Sequence, residues 1–534
     1  MIRSTLGANM AHWVAFLAIG LGIGWLTTRR FGGLSSQNFA VAVIGSVLGG
    51  AALINTAPDI ARIGSLVTSV AGGGLLTVCM LRLSRTTAGV PRLYIPHHWS
   101  AVRVPPKVRT YLLVAYSIAL GVFTAIHLGG LPAKDVVLME TRLITLQQSL
   151  SVLNAGYPPL LIHCAISAVA PHGFCPAATT DDPGIYLYVP VLAHLLHMMS
   201  IRTTLWIFFT GLYALLIAVT PILWLRAFGS WIVAALAPFF LLYGVNFIFY
   251  GDIYWISAWV LFLTMPIMFI VARNWTRFSL VSLTICCVVA SFASSIRINA
   301  GLPVFISCVG LLLVSQKGWA RKAALSLLLT LAYLSVQPIM INAVRHYRDV
   351  AVNEPGLSQA YPGEHPTWHN IYIGLGYVPN HQGLSWNDAV AFNAAKKVDP
   401  SVVLASSQYE AILEHLTIRL IERDPGLLWR NLVAKMTISF SYAIQWFWSP
   451  SILFLLGIWI APGRLLWRRY AWVMVPAFVI TLGPPLLTVP YLPYEMGWLA
   501  SWALIAMLGC SIAIVETEEM IRSRMGAGSG DEST

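Results

Sequence analysis

The chain has 534 residues, of which 57% are hydrophobic and only 10% charged, with a mean hydropathy of +0.72. Soluble domains carry roughly 25% charged residues, so this composition excludes a soluble enzyme or binding module. The net charge of +12 sits in short loops between apolar runs, which is a topology signal and excludes a nucleic-acid footprint.

A transmembrane helix needs about 20 apolar residues. In chain order the candidates are 12–28, 39–56, 64–81, 110–129, 203–224, 229–250, 253–272, 278–295, 301–316, 323–344, 449–463, 471–490 and 496–515. Segment 436–463 also reads as one long kinked helix. The stretch Met1–Asn9 runs into a full-length apolar segment and then Arg29-Arg30, a pattern that predicts an uncleaved span. The expected fold is therefore an all-α, polytopic transmembrane helical bundle of about 11–13 spans.

Basic loops orient such a chain. Arg29-Arg30, the stretch Arg82 to Arg109, Arg226, Arg273 with Arg277, Lys317 with Arg321-Lys322, and Arg464 with Arg468-Arg469 are all expected on the cytoplasmic side. They alternate consistently if 184–200, which carries Pro190, His194 and His197, lies at the interface as a helix. Two large outer loops then remain. The first, 130–202, belongs to an N-terminal transmembrane region, 1–344. The second, 345–437, reads as a small helical outer cap, followed by C-terminal transmembrane helices over 438–516 and a disordered cytoplasmic tail over 517–534. In the cap, Asp424-Pro425 gives a strong helix start, with Asp at the N-cap and Pro at N1.

The acids are scarce. Through residue 344 they are Asp59, Asp135, Glu140, Asp181, Asp182 and Asp252, and Glu140, Asp181 and Asp182 share one hydrophilic break in the first outer loop. A carboxylate beside a bilayer costs a few kcal/mol unless it is paired or faces water, so each is a functional suspect. Residues 135–153 have the apolar spacing of an interfacial helix with Glu140 and Arg142 near its start, and Asp181-Asp182-Pro183 would initiate the next. Cys164 and Cys175 lie in the same loop and would pair if it faces an oxidising compartment. No Walker A motif and no GxGxxG opening a βαβ unit is present, which argues against ATP-driven transport.

The order METRL (139–143), AGYPPLL (155–161) and DDPGIYLYVPVLAHLL (181–196) resembles the first outer loop of the GT-C superfamily of integral-membrane glycosyltransferases, which includes protein O-mannosyltransferases and aminoarabinose transferases. The likeness covers about 100 residues in detail and the rest in layout only. It departs from the family pattern in the three spans that precede the motif, in Thr141 standing beside Glu140 where a second acid is usual, and in the late Asp-Asp pair. The catalytic acid thus stays open between Glu140 and Asp181 or Asp182.

The resemblance implies a polyprenyl-phosphate sugar donor and a lipid, glycan or protein acceptor. Transfer would invert the anomeric carbon at the periplasmic or extracellular face of the cytoplasmic (inner) membrane, among membrane lipids and without nucleic acid. Arg297, alone among apolar residues at a predicted outer span end, is the first candidate for the donor phosphate, followed by Arg202 and Arg142. His369, Asp252, Tyr186 and Trp368 are candidates for acceptor, sugar or cap contacts, and Arg345 and Arg348 could close over the site. An alternative use of Asp181 and Asp182 is to hold a divalent cation, Mg²⁺ or Mn²⁺. Two other functions fit the same layout. One is an O-antigen ligase or polymerase-like transferase working through His369 on the second loop. The other is a secondary transporter or flippase of lipid-linked or anionic substrates, which needs charges in the middle of its spans.

Overall fold

The computed structural model describes residues 106–129, 140–164, 173–177, 182–198, 200–245, 253–276, 278–315, 318–351, 367–404, 406–460, 473–475 and 477–527. The three expected spans before residue 82, Asp181 and Asp252 lie outside the described residues, as does the side chain of Glu140.

The described chain is helical apart from one small hairpin. α1 (Pro106–Gly129) is followed by α2 (Glu140–Asn154), then strands β1 (Leu161–His163) and β2 (Phe174–Pro176). The strands pair antiparallel, with Leu161 opposite Pro176 and His163 opposite Phe174. A Cys164–Cys175 disulfide staples them. The short α3 (Pro183–Leu195) leads to α4 (Ile201–Phe228) and α5 (Trp231–Val245). A 3₁₀ turn at Ile253–Trp255 opens α6 (Ile256–Arg273), followed by α7 (Ser279–Ile296) and α8 (Leu302–Ser315).

Local sequence sets the ends of these rods. The Ser200 hydroxyl accepts from the Thr203 N–H at the start of α4, and Gly229, at φ 74°, closes it by donating to the Leu225 carbonyl. Inside the apolar helices, Thr220 and Thr264 donate back to the carbonyls of Leu216 and Val260, so no hydroxyl is left unmatched at those positions.

Among the described residues, five helices are long and apolar enough to cross a membrane: Ile201–Phe228, Ile253–Arg273, Ser279–Ile296, Trp319–Ala351 and Leu492–Ile512. The second and fifth are mostly buried, and α6 packs against α4, α7 and the C-terminal helix. Trp224, Trp255, Trp498, Tyr213, Phe209 and Phe269 fill the centre.

The fourth rod departs from its expected end at 344. α9 (Trp319–Leu334) passes through a π-helical turn at Ser335–Met340 and continues as α10 (Ile341–Ala351). Pro338 sits in the π turn, and the Ser291 hydroxyl of α7 accepts from the Val336 and Gln337 N–H groups that the wide turn frees. Arg345 and Arg348 therefore lie on a helix, where Arg348 is buried and paired with Asp349 at 2.7 Å.

A second, smaller core is built from α11 (Thr367–Gly374), α12 (Asp388–Val398) and α13 (Ser407–Arg423), packed on the start of α14 (Pro425–Ile460). Asn387 and Ser406 cap α12 and α13, and the Asp424 carboxylate accepts from the Leu427 N–H at the Asp-Pro start of α14. α13 begins at Ser407, and Asp399 ahead of it accepts from the Ser401 N–H and hydroxyl in a turn.

After α14 the chain returns through α15 (Gly483–Leu487) and a 3₁₀ turn at Leu492–Glu495 into α16 (Met496–Ala527). α16 carries on through 517–527, where the sequence suggests a disordered tail. The run ETEEMIRSRM places Glu518 four residues before Arg522, spacing that supports a helix, and Ser230 donates to Glu518 at 2.9 Å.

Candidate functional site

Three chain segments meet around one carboxylate. Asp182 precedes α3 in a left-handed conformation (φ 57°), which Asp tolerates better than most residues, and Pro183 at the first helical position fixes the chain behind it. Gly184 then lets α3 press on the end of α7. A Cβ at that position would lie 2.7 Å from the Ser295 carbonyl, and Tyr188 one turn on joins the Ser295 hydroxyl at 2.8 Å. Arg297 caps α7 at its C-terminus, where a cation complements the helix dipole. The tight turn after it is closed by Asn299 at φ 66° and by Gly301, whose missing side chain admits the Ala290 carbonyl.

The result is a buried cation–carboxylate cluster. Asp182 is fully buried. Arg142, near the start of α2, donates to its Oδ2 at 2.6 Å. Arg297 donates from Nη1 to both oxygens, at 3.4 and 3.5 Å. The Arg297 guanidinium also stacks over Tyr254, 4.5 Å from the ring centroid, with Tyr494 5.6 Å away on another side. The Tyr254 and Tyr494 rings are 5.0 Å apart. Burial works against the charge on Arg142, and the adjacent Asp182 carboxylate more than offsets this, so the guanidinium is held above its ordinary value. Arg142 and Arg297 thus both donate to Asp182 in a low-dielectric setting bordered by tyrosines.

Sequence reasoning singles out Asp182, Arg142 and Arg297 separately, and the fold brings them together. Tyr186 on α3 lies close enough to Arg142 to interact with its charge. Arg202 is elsewhere, exposed on the first turn of α4, and forms no ion pair among the described residues. His369 and Trp368 belong to the second core. There the His369 Nδ1 meets the Tyr409 hydroxyl at 2.6 Å and Nε2 meets Asp388 at 3.1 Å, while Glu410 accepts from the backbone N–H groups of both residues. Both ring nitrogens of His369 are thus hydrogen-bonded within the second core.

The cation-holding use of Asp182 fits poorly, because its oxygens face guanidinium groups. No cluster of three metal-ligating side chains occurs among the described residues.

Two contributors to the cluster, Tyr254 and Tyr494, escape the sequence reading, as do the buried Glu495 and Lys435. Tyr254 and Tyr494 look like interfacial aromatics, and Glu495 falls in a five-residue loop, YLPYE. Lys435 lies ahead of the apolar stretch of α14 and is buried, donating to the carbonyls of Leu486 (3.1 Å) and Thr488 (2.7 Å). Burial pushes its ammonium down from 10.5 to about 8. The folded form therefore releases this proton near pH 8 while the unfolded chain keeps it to about 10.5. The unfolded state binds more protons in that window, so stability is expected to rise by about 2–3 kcal/mol from pH 8 to pH 10.5. Denaturant titrations of wild type and Lys435→Met across this window check it; a rise of equal size in both would refute the assignment.

The chain matches no protein-family model, no curated protein and no solved structure.

Proposed function

We propose that the protein is a membrane glycosyltransferase of the GT-C type. It moves a sugar from a polyprenyl-phosphate donor to a hydroxyl acceptor, with inversion, at the periplasmic or extracellular face of the inner membrane. The observation that carries this reading is the convergence of two guanidiniums, Arg142 and Arg297, on the buried Asp182 at helix ends. A guanidinium held in a fixed plane matches a phosphate oxygen pair. During transfer the negative charge grows on the leaving phosphate, so preorganised donors at that point lower the barrier selectively.

Placement supports the same conclusion. The charged groups stand at helix ends, with Asp182 before α3 and Arg297 after α7, where an enzyme working at a membrane face needs them. A transporter would favour charges at mid-span. The disulfide in the β1–β2 hairpin suits a loop on the oxidising side of the membrane. In this arrangement the second core, α11–α13, is the outer cap, and the apolar segments expected at 12–28, 39–56 and 64–81 would complete the polytopic bundle.

The direct test is purified full-length protein in lipid nanodiscs, titrated with farnesyl phosphate as a short donor mimic and assayed with radiolabelled polyprenyl-phosphate hexoses and pentoses on native membranes. Saturable farnesyl phosphate binding with transfer from at least one donor is expected. Absence of both would sink the assignment.

A further inference from the structure

Two tyrosines from distant parts of the chain meet at Arg297. Each is carried by a 3₁₀ turn that opens a long helix: Tyr254 in Ile253–Trp255 ahead of α6, and Tyr494 in Leu492–Glu495 ahead of α16. The two turns pack against each other. The Arg297 guanidinium carbon lies 4.5 Å from the Tyr254 ring centroid and 5.6 Å from that of Tyr494, both within reach of a cation–π contact. The rings are 5.0 Å apart and inclined at 60° to each other. A planar cation over one ring slides along it at little cost. Over two rings set at that angle, a slide that keeps one contact opens the other, so the pair constrains the position of the guanidinium as well as its plane. The bonds to Asp182 do not do this by themselves. Both leave from Nη1, at 3.4 and 3.5 Å, and a pair that shares one nitrogen lets the fork pivot about it.

The rings are themselves held. Ile253 and Trp255, on either side of Tyr254, are fully buried, and the Trp255 ring meets Tyr213 and Phe209 edge-on. The Tyr494 N–H donates to the Tyr491 carbonyl at 2.8 Å, and the next residue, Glu495, accepts from the Ser439 hydroxyl of α14 at 2.6 Å. One turn earlier on α14, Lys435 donates to the Leu486 and Thr488 carbonyls at the head of the same segment. Two buried polar groups of α14 thus brace the stretch of chain that carries the second ring. Packing and hydrogen bonds of this kind, one layer behind a binding group, are what keep such a group in its productive geometry.

Resting on the glycosyl-transfer reading above, we propose that Tyr254 and Tyr494 are positioning residues for Arg297. They hold its guanidinium, before any ligand arrives, in the plane from which it takes up the donor phosphate. A long side chain that is already immobile loses little conformational freedom on binding, an advantage of about 2- to 10-fold in affinity.

The experiment compares wild type, Tyr254→Phe, Tyr254→Leu and Tyr494→Leu as full-length protein in nanodiscs, reading farnesyl phosphate affinity, and repeats both leucine variants in an Arg297→Gln background. Tyr254→Phe keeps the ring face and is expected to bind within about two-fold of wild type. Tyr254→Leu keeps an apolar side chain without a π face and is expected to bind about 5- to 10-fold more weakly, with a loss of at least about three-fold in Tyr494→Leu. In the Arg297→Gln background both leucine variants should leave the remaining affinity within about two-fold, because no guanidinium is there to be held. Equal losses in the two backgrounds would mark a general packing role and overturn the proposal, as would Tyr254→Leu binding within about two-fold of wild type. If Tyr254→Leu does not fold, Tyr494→Leu binding within about two-fold of wild type overturns it instead. A wild type that binds and transfers beside unaffected leucine variants leaves the glycosyl-transfer reading standing. A wild type that neither binds farnesyl phosphate nor transfers any sugar overturns that reading and this one with it.

Discussion

Asp182→Asn is expected to lower the stability of the protein by about 3–5 kcal/mol, the range seen when one partner of a buried ion pair is removed. In the wild type two guanidiniums donate to one fully buried carboxylate, and Asn removes the negative charge that both of them meet there. Most of that cost belongs to the stranded charges, so an Arg142→Met/Asp182→Asn double variant should recover part of it. The double-mutant cycle would then give a coupling energy of about 1–3 kcal/mol. Thermal or denaturant unfolding of detergent-solubilised protein measures both. A loss below about 0.5 kcal/mol would place Asp182 among ordinary surface residues and remove the physical basis of the cluster.

The second large effect falls on Arg297. Its guanidinium does three things at once: it pairs with Asp182, stacks on Tyr254 and approaches Tyr494. Lysine keeps the charge and loses the planar fork and most of the stacking, while glutamine also loses the charge. Farnesyl phosphate binding is expected to weaken by at least about 10-fold in Arg297→Lys and by about 10²-fold in Arg297→Gln, the worth of one strong charge-assisted contact. The wild-type affinity should also fall with added salt more steeply than that of Arg297→Gln. Equal affinities across the three proteins would show that phosphate is held elsewhere. Arg202→Gln is the natural comparison, because that residue is exposed and outside the cluster, and it should leave binding near wild type.

These two predictions show which parts of the site are legible in the sequence. Asp182, Arg142 and Arg297 stand out because charge is expensive in an apolar chain, so each isolated charge is a signal before any contact is known. Glu495 gives a weaker signal. It sits in YLPYEMGW, where one acid in a short loop reads as ordinary solvent-facing polarity, and only the packing of α14 against α16 buries it. His369 shows a different limit. A histidine in a long polar loop suggests chemistry, yet the bonds from its ring to Tyr409 and Asp388 could not be foreseen from residues 19 and 40 positions away.

Secondary structure follows the same division. The apolar rods at 201–228, 253–273 and 279–296 are visible from hydropathy, because a membrane leaves the backbone few alternatives to a helix. The continuation of α9 through the π turn at Ser335–Met340 is not, since it depends on a hydroxyl supplied by Ser291 of a different helix. The β1–β2 hairpin is equally hidden, with three residues per strand and a cross-link as its main support.

By itself the amino-acid order determined that this is an apolar helical protein with a few costly charges, because hydropathy and charge scarcity are properties of composition and spacing along the chain. The tertiary structure decided which charges meet. Asp182 reaches Arg297 across 115 residues only because Gly184 admits the end of α7, and Glu495 stays apart from the same arginine although Tyr494 lies beside it. Pairing is a matter of ångströms, set by close packing between distant helices, and no local pattern encodes that distance.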